Sequence, residues 1–514
     1  MRCQYPQTSA GQDQSSHLRH EPHVTTSPKL RKALLRSARL SLVAMAILVV
    51  VPALSLTAAE LHIGGATISI TPDEPVALSG QMHTRIARSV ESEVMATALA
   101  LESRQGDDSL GQAILVSCDV AVLREGISEL VRERLKERLP EFDGSKLVIS
   151  ATHTHTAPVM EEGVYEIPTE GVMQPQAYFE FLVERVADVA VQAWQTRRAG
   201  SVGWGLGHAV VAQNRRSTYA DGTAQMYGGT NNVNFRGIEG YEDHEVEVLC
   251  FWDEQGELFA TAINVACPAQ EVEGGSAVNA DFWHTVREAL RAKYGADLLV
   301  LGWTGAAGDQ SPHLMYSQAA EERMRRLRGL TRLEELSRRI VAAWEEAYAG
   351  ASQERHSDSL LVHQVQTIEL PERMVTREEF FELDAKVRSL SADPAQKTVV
   401  GWHQAAIDRY QRQQSGELKP YRMELHAIRL GDVAIVTNDF ELFTDFGIQM
   451  KARSPALQTF VIQLAGPGSY VPSARGAQGG GYSAIVESNE VGPVGGQELT
   501  ERTVEALNGL WSAN

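Results

Sequence analysis

The chain has few cysteines and a deficit of positive charge, and these two shortages limit the classes of protein to which it can belong. Of its four cysteines, Cys3 lies near the N-terminus, and the other three cannot all be paired with one another. A scaffold held together by disulfides is therefore excluded. With 47 basic and 66 acidic residues the formal net charge is −19, which argues against nucleic acid or an anionic membrane surface as the main partner.

Long apolar runs are also absent, apart from one near the N-terminus at residues 40–56. This run follows a basic segment, residues 1–39, and precedes the small residues 57–59, an order typical of a secretory signal. We therefore expect residues 1–59 to be a cleaved signal peptide, which predicts a secreted or periplasmic protein without a later membrane span. An uncleaved N-terminal anchor is the alternative, although Pro52 weakens a helix there. Cleavage would remove seven basic and two acidic residues and leave a net charge of −24.

The remaining residues, 60–514, show strand and helix signals in mixed order, without internal repeats or a linker between domains. Apolar runs typical of strands lie at 98–101, 112–118, 146–150, 246–252, 258–265, 298–303, 362–370, 422–437 and 459–464. Helical periodicity lies at 123–139, 175–198, 281–294, 319–350 and 498–511. Hairpins among helices favour an α/β fold of mixed β-sheets with helices packed outside. We expect one domain over 60–514, with a polar insertion at 371–421.

Two histidines, His153 and His155, follow the predicted buried strand at 146–150. Because side chains alternate along a strand, the two imidazoles should point to the same side. One ring could then bind a metal while the other handles protons beside it. A polar strand end with two hydrogen-bonded histidines is the structural alternative. A dinuclear site of the His-x-His-x-Asp-His type is excluded, because Ala157 stands where that motif needs a carboxylate.

Further polar residues follow other predicted strands. The strand at 298–303 runs into the segment 308–311, Gly-Asp-Gln-Ser, whose small residues allow a backbone to approach a ligand closely. Glu441 comes just after another apolar strand, and Tyr470 and Tyr482 lie in glycine-rich loops. Each loop alone is a weak signal, but their combination with the histidine pair favours one functional site built from strand ends.

These residues resemble the neutral (alkaline, non-lysosomal) ceramidases and their bacterial relatives over essentially all of residues 60–510. The similar motifs occur in the family's order, and they are Ala66-Thr67-Ile68-Ser69-Ile70-Thr71-Pro72 with Gly80, Thr152-His153-Thr154-His155, Gly308-Asp309-Gln310-Ser311-Pro312, the Glu441 segment and Tyr470-Val471-Pro472. The resemblance implies a zinc-dependent amidase whose single zinc is held by two histidines, a glutamate and a tyrosine.

For the metal, the resemblance implies His153, Glu441 and Tyr470 as ligands, but the chain departs from the family at the second histidine. Cys267, which precedes a proline, stands where relatives carry that ligand. A thiolate can replace it, because zinc binds sulfur well and promotes its deprotonation. His284, one turn into the following predicted helix, is the other candidate. A weakened or absent metal is the third alternative.

For the chemistry, the resemblance implies hydrolysis of an N-acyl amide by zinc-activated water. His155 would transfer protons, and Tyr482 would polarise the substrate carbonyl with Arg215 as a second donor. Ser311 resembles the family's active-site serine and would position water or substrate. The interpretation of Ser311 as a nucleophile has less support, because the residue lies in no Gly-x-Ser-x-Gly elbow.

The substrate is less well defined than the reaction. We expect a small-molecule amide or a lipid-like substrate, but no long-chain lipid pocket is evident in the sequence. The chain ends soon after the predicted helix at 498–511, so we expect the family's C-terminal immunoglobulin-like domain to be missing. An esterase or another hydrolase of the same fold is one alternative. A catalytically silent binding protein is another, and Cys267 is the feature that favours it. The oligomeric state is not defined by the sequence.

Overall fold

Two mixed sheets, a small three-stranded sheet and three short strand pairs organise residues 59–512, the part of the chain that the computed structural model describes. The expected signal peptide therefore lies outside the described residues, except for Ala59. The strands are β1 Glu60–Ser69, β2 Val76–Ala77, β3 Ile86–Ala87, β4 Met95–Gln105, β5 Asp108–Cys118, β6 Leu147–Ala151, β7 Arg198–His208, β8 Gln213–Asn214, β9 Arg216–Tyr219, β10 Ala224–Met226, β11 Phe235–Ile238, β12 Glu245–Asp253, β13 Leu258–Val265, β14 Leu299–Thr304, β15 Gln310–Ser311, β16 Leu361–Leu370, β17 Tyr421–Leu430, β18 Val433–Thr437, β19 Glu441–Leu442, β20 Gln458–Ile462 and β21 Tyr470–Val471.

Helices connect many of these strands. They are α1 Ile127–Arg138, α2 Pro175–Gln195, α3 Phe282–Tyr294, α4 Gln318–Arg328, α5 Arg332–Ala351, α6 Arg377–Leu390, α7 Lys397–Ser415, α8 Thr444–Arg453, α9 Ala474–Gly479 and α10 Pro493–Ser512, with 3₁₀ turns at Gly144–Lys146, Pro394–Gln396, Tyr482–Ala484 and Val486–Ser488. Within residues 59–512, no helix has both the length and the apolar character that a membrane crossing requires.

Local sequence explains where several helices begin and end. The predicted helical region 319–350 is divided into α4 and α5, because Gly329 takes a left-handed conformation that ends α4. Thr331 then starts α5 with a capping box, in which its side chain and that of Glu334 satisfy each other's backbone N–H groups. Pro175 occupies the first turn of α2, where its missing N–H has no helical partner to lose.

The larger sheet has the order β14-β13-β12-β7-β1-β4-β5-β6 and the smaller one β16-β17-β18-β20. Most neighbours are antiparallel, but β5 with β6, β13 with β14 and β18 with β20 are parallel. The two sheets pack face to face over an apolar core. Residues from both sheets fill it, among them Leu61, Leu99, Leu115, Phe251, Leu301, Leu361, Ile428, Ile435 and Phe460.

Helices cover the outer faces of both sheets. α1 and α2 pack on β1, β4, β5 and β6, while α3 and α5 pack on β12, β13 and β14. α8 and α10 cover the smaller sheet. The predicted α/β fold, mixed sheets with helices packed outside, is confirmed. The polar segment 371–421 forms a helical hairpin of α6 and α7 between the paired strands β16 and β17.

The carboxyl ends of the parallel strands meet at one place. Ala151, the last residue of β6, donates its N–H to Leu464 O at 3.1 Å, and Gln463 donates to Thr304 O at 3.0 Å. Gly305 donates to Val265 O at 2.8 Å in the same way. Segments leaving both sheets are therefore tied together by backbone hydrogen bonds, and the loops that carry the candidate site residues start from this seam.

A buried ion pair lies beneath this seam and supports it. Arg287 on α3 binds Asp119 in a bidentate manner at 2.5 and 2.9 Å, and both side chains are at most 2% exposed. Asp119 also accepts from Met95 N and Thr152 Oγ1 at 3.0 and 3.2 Å. The pair thus joins α3 to the ends of β4, β5 and β6.

Replacing Arg287 by methionine should lower the free energy of unfolding by about 3–5 kcal/mol, because Asp119 would stay buried without a counter-charge. Urea unfolding at pH 7 measures this. Arg134→Met, which removes the exposed Arg134–Glu184 pair, is the control and should leave the midpoint nearly unchanged. Similar losses in both variants would contradict the buried-pair account.

Candidate active site

The two histidines lie in a loop beyond the end of β6, and they do not alternate along a strand as the sequence pattern predicts. β6 ends at Ala151, and His153 takes a left-handed conformation with φ +66°. The turn brings the ring centroids of His153 and His155 to a separation of 4.7 Å. A left-handed non-glycine residue costs about 1–3 kcal/mol, and such strain persists where the surrounding structure enforces it. Here it makes the two imidazoles converge.

The ring of His153 has a defined orientation. Its Nδ1 lies 2.6 Å from Ala121 O, and a carbonyl can only accept, so Nδ1 carries the hydrogen. In the neutral ring Nε2 presents the lone pair, and this atom lies 3.2 Å from Glu441 Oε2 and 3.2 Å from His155 Nε2. His153 is 5% exposed. An unprotonated ring nitrogen, held by a hydrogen bond on the other nitrogen, is the usual form of a metal-binding histidine.

His155 is held on several sides. A Cβ on Gly80, whose φ is +96°, would lie 2.4 Å from His155 Cγ, so only glycine fits against this ring. Arg85 donates to the His155 carbonyl at 2.6 Å. Gln270 Nε2 lies 2.8 Å from His155 Nε2, and Glu273 Oε2 lies 3.3 Å from Nδ1, at ion-pair distance but without hydrogen-bond geometry. Burial lowers the pKa of His155 to about 4, which favours the neutral imidazole.

Glu441 and Tyr470 reach the histidines from the short parallel pair β19–β21. The two residues are direct partners in that pair, so both side chains leave the same face. Gly308 lies directly behind, since a Cβ there would be 2.3 Å from Glu441 O. Burial alone would raise the pKa of Glu441, but His153 and Arg215 outweigh it and lower that pKa. The carboxylate is therefore ionised beside His153.

Arg215, which is 1% exposed, connects the members of the site. Its Nη2 donates to Tyr470 OH at 3.2 Å and to Gly308 O at 3.0 Å, and it lies 3.8 Å from Glu441 Oε2. Its Nη1 donates to Gln270 Oε1 at 3.0 Å and to the Tyr227 hydroxyl at 3.1 Å. Burial opposes the charge, but the electrostatic influence of neighbouring groups raises the pKa of Arg215 well above its usual value.

Ser311 and Tyr482 adjoin this group. Ser311 Oγ accepts from the Tyr227 hydroxyl at 3.0 Å, so it joins the site through Tyr227 and Arg215. The ring of Tyr482 stands edge-on to that of Tyr470 at 5.9 Å. Trp402 of α7 packs on the outer side of Tyr482 at 5.4 Å. The α6–α7 hairpin therefore contributes to the wall beside the candidate site.

The same hairpin is tied to a loop on the other side of the site. Thr398 on α7 donates to Val164 O at 2.6 Å, and Lys397 forms an ion pair with Glu166 at 2.6 Å. In that loop the Tyr165 hydroxyl donates to Gln81 O at 2.6 Å, next to Gly80. The predicted polar insertion therefore reaches the segment that supports His155.

Cys267 and His284, the two candidates for the missing ligand, belong to no group of three or more His, Cys, Asp or Glu metal-binding side chains in residues 59–512. Cys267 is fully buried in the apolar cluster that includes Phe282 and Trp283, and its sulfur contacts Pro268 O at 3.6 Å. Burial raises the pKa of its thiol well above the usual value. Among the described residues, no hydrogen bond or ion pair links either side chain to His153.

Asp309 has a supporting position. One carboxylate oxygen accepts from the backbone and hydroxyl of Thr444 at 2.8 and 2.7 Å, and the other accepts from Asn214 at 2.8 Å. Burial raises the pKa of Asp309 to about 6. The aspartate of the Gly-Asp-Gln-Ser loop thus ties that loop to α8 and to the strand before Arg215.

The atoms that converge on His153 suit a small cation. The 3.2 Å separation of its Nε2 from Glu441 Oε2 is close to the edge of about 3.3 Å expected for a tetrahedron with ligand distances near 2.0 Å. Tyr470 brings a phenol oxygen to the same carboxylate. Over residues 59–512, no group of three or more His, Cys, Asp or Glu side chains is arranged as a metal site. A site here would need Tyr470 beside His153 and Glu441.

Sequence reasoning missed Gln270, Glu273 and Tyr227. Gln270 and Glu273 lie in the loop after Cys267, and no motif or periodicity in that loop marks them. Tyr227 adopts a left-handed conformation with φ +54°, which no sequence signal marks. Gly80 was noticed as part of a motif, but its role as a support for His155 follows only from the structure.

Two comparisons with known proteins find nothing, and the third finds similar structures. No protein-family model and no curated protein sequence matches the chain. The neutral ceramidase of Pseudomonas aeruginosa aligns with 88% of this chain and 74% of its own at 17% identity, with a TM-score of 0.65. A ceramidase complexed with C2 aligns with 88% of this chain and 76% of its own at 15% identity, with a TM-score of 0.62. The chain has a neutral ceramidase-like fold.

Gly80→Ala should destabilise the protein more than Gly163→Ala. Both glycines have left-handed φ values, +96° and +83°, but nothing lies within 4 Å of a Cβ at Gly163. The shared backbone cost is about 1–2 kcal/mol, and the contact with the His155 ring should add about 1–3 kcal/mol at Gly80 only. Urea unfolding of both variants measures the difference, and equal losses would show that the ring does not depend on Gly80.

Proposed function

We propose that this chain is a zinc-dependent hydrolase that cleaves an N-acyl amide bond. The observation that carries the proposal is the convergence of His153 Nε2, Glu441 Oε2 and Tyr470 beside His155, in a neutral ceramidase-like fold. This set offers nitrogen and oxygen donors to a metal and a neutral imidazole next to it. Catalytic zinc sites commonly use three protein ligands and leave one position open.

His153, Glu441 and Tyr470 would hold the zinc, which supplies Lewis acidity that activates a water molecule and polarises a carbonyl. The backbone carbonyl of Ala121 keeps His153 in the tautomer that can bind, as a supporting residue does in many zinc sites. Arg215 holds the Tyr470 oxygen and lies near Glu441. Its positive charge favours ionised forms of both ligands.

His155 would accept the proton of the attacking water and return it to the leaving amine. Its Nε2 lies 3.2 Å from the Nε2 of His153, so a water bound to a metal on His153 would be within hydrogen-bond reach of His155. Burial favours its neutral form, which can accept a proton. Glu273 beside Nδ1 would stabilise the imidazolium that forms during transfer.

The remaining residues would act on the carbonyl. Tyr482, next to Tyr470, would donate a hydrogen bond to the oxygen as negative charge develops on it, with Arg215 as a second source of positive potential. One such donor contributes about 3 kcal/mol in other enzymes. Ser311 would position water or substrate through its link to Tyr227.

The substrate class follows from the fold and the surroundings of the site. The two similar structures are ceramidases, so we propose a lipid-like or other N-acyl amide. Trp402 and Tyr482 provide an apolar wall on one side of the site. The export signal predicted at residues 1–59 would place this activity outside the cytoplasm.

Zinc content tests the ligand set. Purified protein should hold about one zinc per chain, and His153→Ala, Glu441→Gln and Tyr470→Phe should each lower it, because each removes one of three protein ligands. Cys267→Ser and His284→Ala should keep it, since neither side chain joins the group. Mass spectrometry of the metal after dialysis measures this, with Cys250→Ser as a control for a buried thiol elsewhere. Absence of zinc from the wild-type protein would favour a catalytically silent binding protein. Loss of zinc in Cys267→Ser would show that the cysteine is a ligand after all.

Turnover tests the division of roles between the histidines. His155→Ala should retain zinc but lower kcat about 10²–10⁴-fold on an N-acyl amide, as expected when a general base is removed. His356→Ala, whose ring stacks on Trp204 away from the site, is the matched control and should be fully active. Equal loss of zinc in His153→Ala and His155→Ala would mean that both rings bind the metal.

A further inference from the structure

Gln270 contacts both His155, which would transfer the proton, and Arg215, which would support the carbonyl oxygen. Its Oε1 accepts from Arg215 Nη1 at 3.0 Å, and its Nε2 lies 2.8 Å from His155 Nε2. The side chain is fully buried. It lies two residues beyond Pro268, in the segment after Cys267. The backbone N–H of Ala269, the preceding residue, donates to Thr152 O at 3.1 Å and holds this segment beside the histidine loop.

The chemistry of the neighbours determines how this amide is oriented. The oxygen and nitrogen of a glutamine can be exchanged by a flip of the amide, but a guanidinium has only donors. The atom facing Arg215 must therefore be the oxygen, and the NH₂ group faces His155. Because NH₂ donates, Nε2 of His155 must present its lone pair.

The hydrogen of the neutral His155 ring then lies on Nδ1, beside Glu273. Glu273 Oε2 is 3.3 Å from Nδ1, and its other oxygen is 3.5 Å from Nδ1 of His313. Gln270 and Glu273 thus lie at opposite nitrogens of one ring, and both favour the same tautomer. A neutral amide donates a weaker hydrogen bond than a charged group does, so a proton donor in the site can displace the amide from the lone pair.

We propose that Gln270 is a positioning residue that links Arg215 to His155 and selects the tautomer of His155 able to accept a proton at Nε2. The inference rests on the proposed hydrolysis, in which His155 is the base.

Gln270→Glu is the informative substitution, because it nearly preserves shape and keeps an oxygen facing Arg215. The atom facing His155 becomes an acceptor, which requires a hydrogen on Nε2. We expect zinc content and KM to be unchanged and kcat to fall about 10²–10⁴-fold, the range seen when a catalytic histidine lacks its base or is held in the wrong tautomer. Gln192→Glu, at an exposed position of α2, makes the same charge change and should be fully active.

Gln270→Leu separates this role from a merely structural one. Leucine loses both hydrogen bonds but imposes no tautomer, so kcat should fall less than in Gln270→Glu. A structural role predicts the reverse order, because glutamate keeps the contact with Arg215. If Gln270→Leu slows turnover as much as Gln270→Glu or more, the proposal is overturned.

Nitrogen-15 NMR of histidine-labelled, zinc-loaded protein reads the tautomer without substrate. His155 should carry its hydrogen on Nδ1 in the wild type and should gain one on Nε2 in Gln270→Glu. A wild-type His155 with hydrogen on Nε2, or a variant with Nε2 still free, would overturn the proposal. Should Gln270→Glu fail to fold, the wild-type spectrum decides, together with a smaller share of the Nδ1–H tautomer in Gln270→Leu, where Glu273 alone favours it. Because this readout needs no turnover, an inactive wild type would refute the hydrolysis and leave the tautomer measurement to stand alone.

Discussion

A single buried positive charge organises the candidate site. Arg215 is almost completely removed from water, and burying an isolated cation costs several kcal/mol. Its cost is offset by hydrogen bonds from two nitrogens to Tyr470, Gly308, Gln270 and Tyr227, and by the nearby carboxylate of Glu441. These partners come from segments far apart in sequence. The charge is therefore satisfied only when those segments are all in place, and this couples site geometry to folding.

Backbone strain is concentrated around the same group. His153, Tyr227 and Leu464 all take left-handed conformations, and each belongs to the site or to the seam of strand ends beneath it. Left-handed geometry in such residues costs of order 1–3 kcal/mol each. The surrounding hydrogen bonds enforce it: Thr152 and Thr154 donate to Cys118 and Val120 on either side of His153. The strain is the cost of turning two neighbouring histidines toward each other.

Sequence patterns predict the scaffold better than the site. Apolar runs and helical periodicity locate most long strands and helices, because the spacing of apolar residues along the chain determines which face of an element is buried. The loop position of the histidine pair is missed, since one left-handed residue after β6 overrides alternation. The family resemblance implies Cys267 as a candidate ligand, and its side chain lies buried in an apolar cluster, a placement that the local sequence does not indicate. Gln270 and Glu273 carry no local signal at all, because their importance lies in what they touch.

The placement of the α6–α7 hairpin bears on how such a site can diversify. β16 and β17 pair over their full length, from Leu361 with Leu430 to Leu370 with Tyr421, so a tight turn could join them without altering the sheet. The chain instead makes a long excursion at this point, and the excursion delivers Trp402 to the edge of the site. Since closing a longer loop adds only a small entropic cost, this wall can be lengthened, shortened or exchanged while Arg215 and its partners keep their positions. The wall beside the candidate site is thus separable, in sequence and in energy, from the part that would carry out the chemistry.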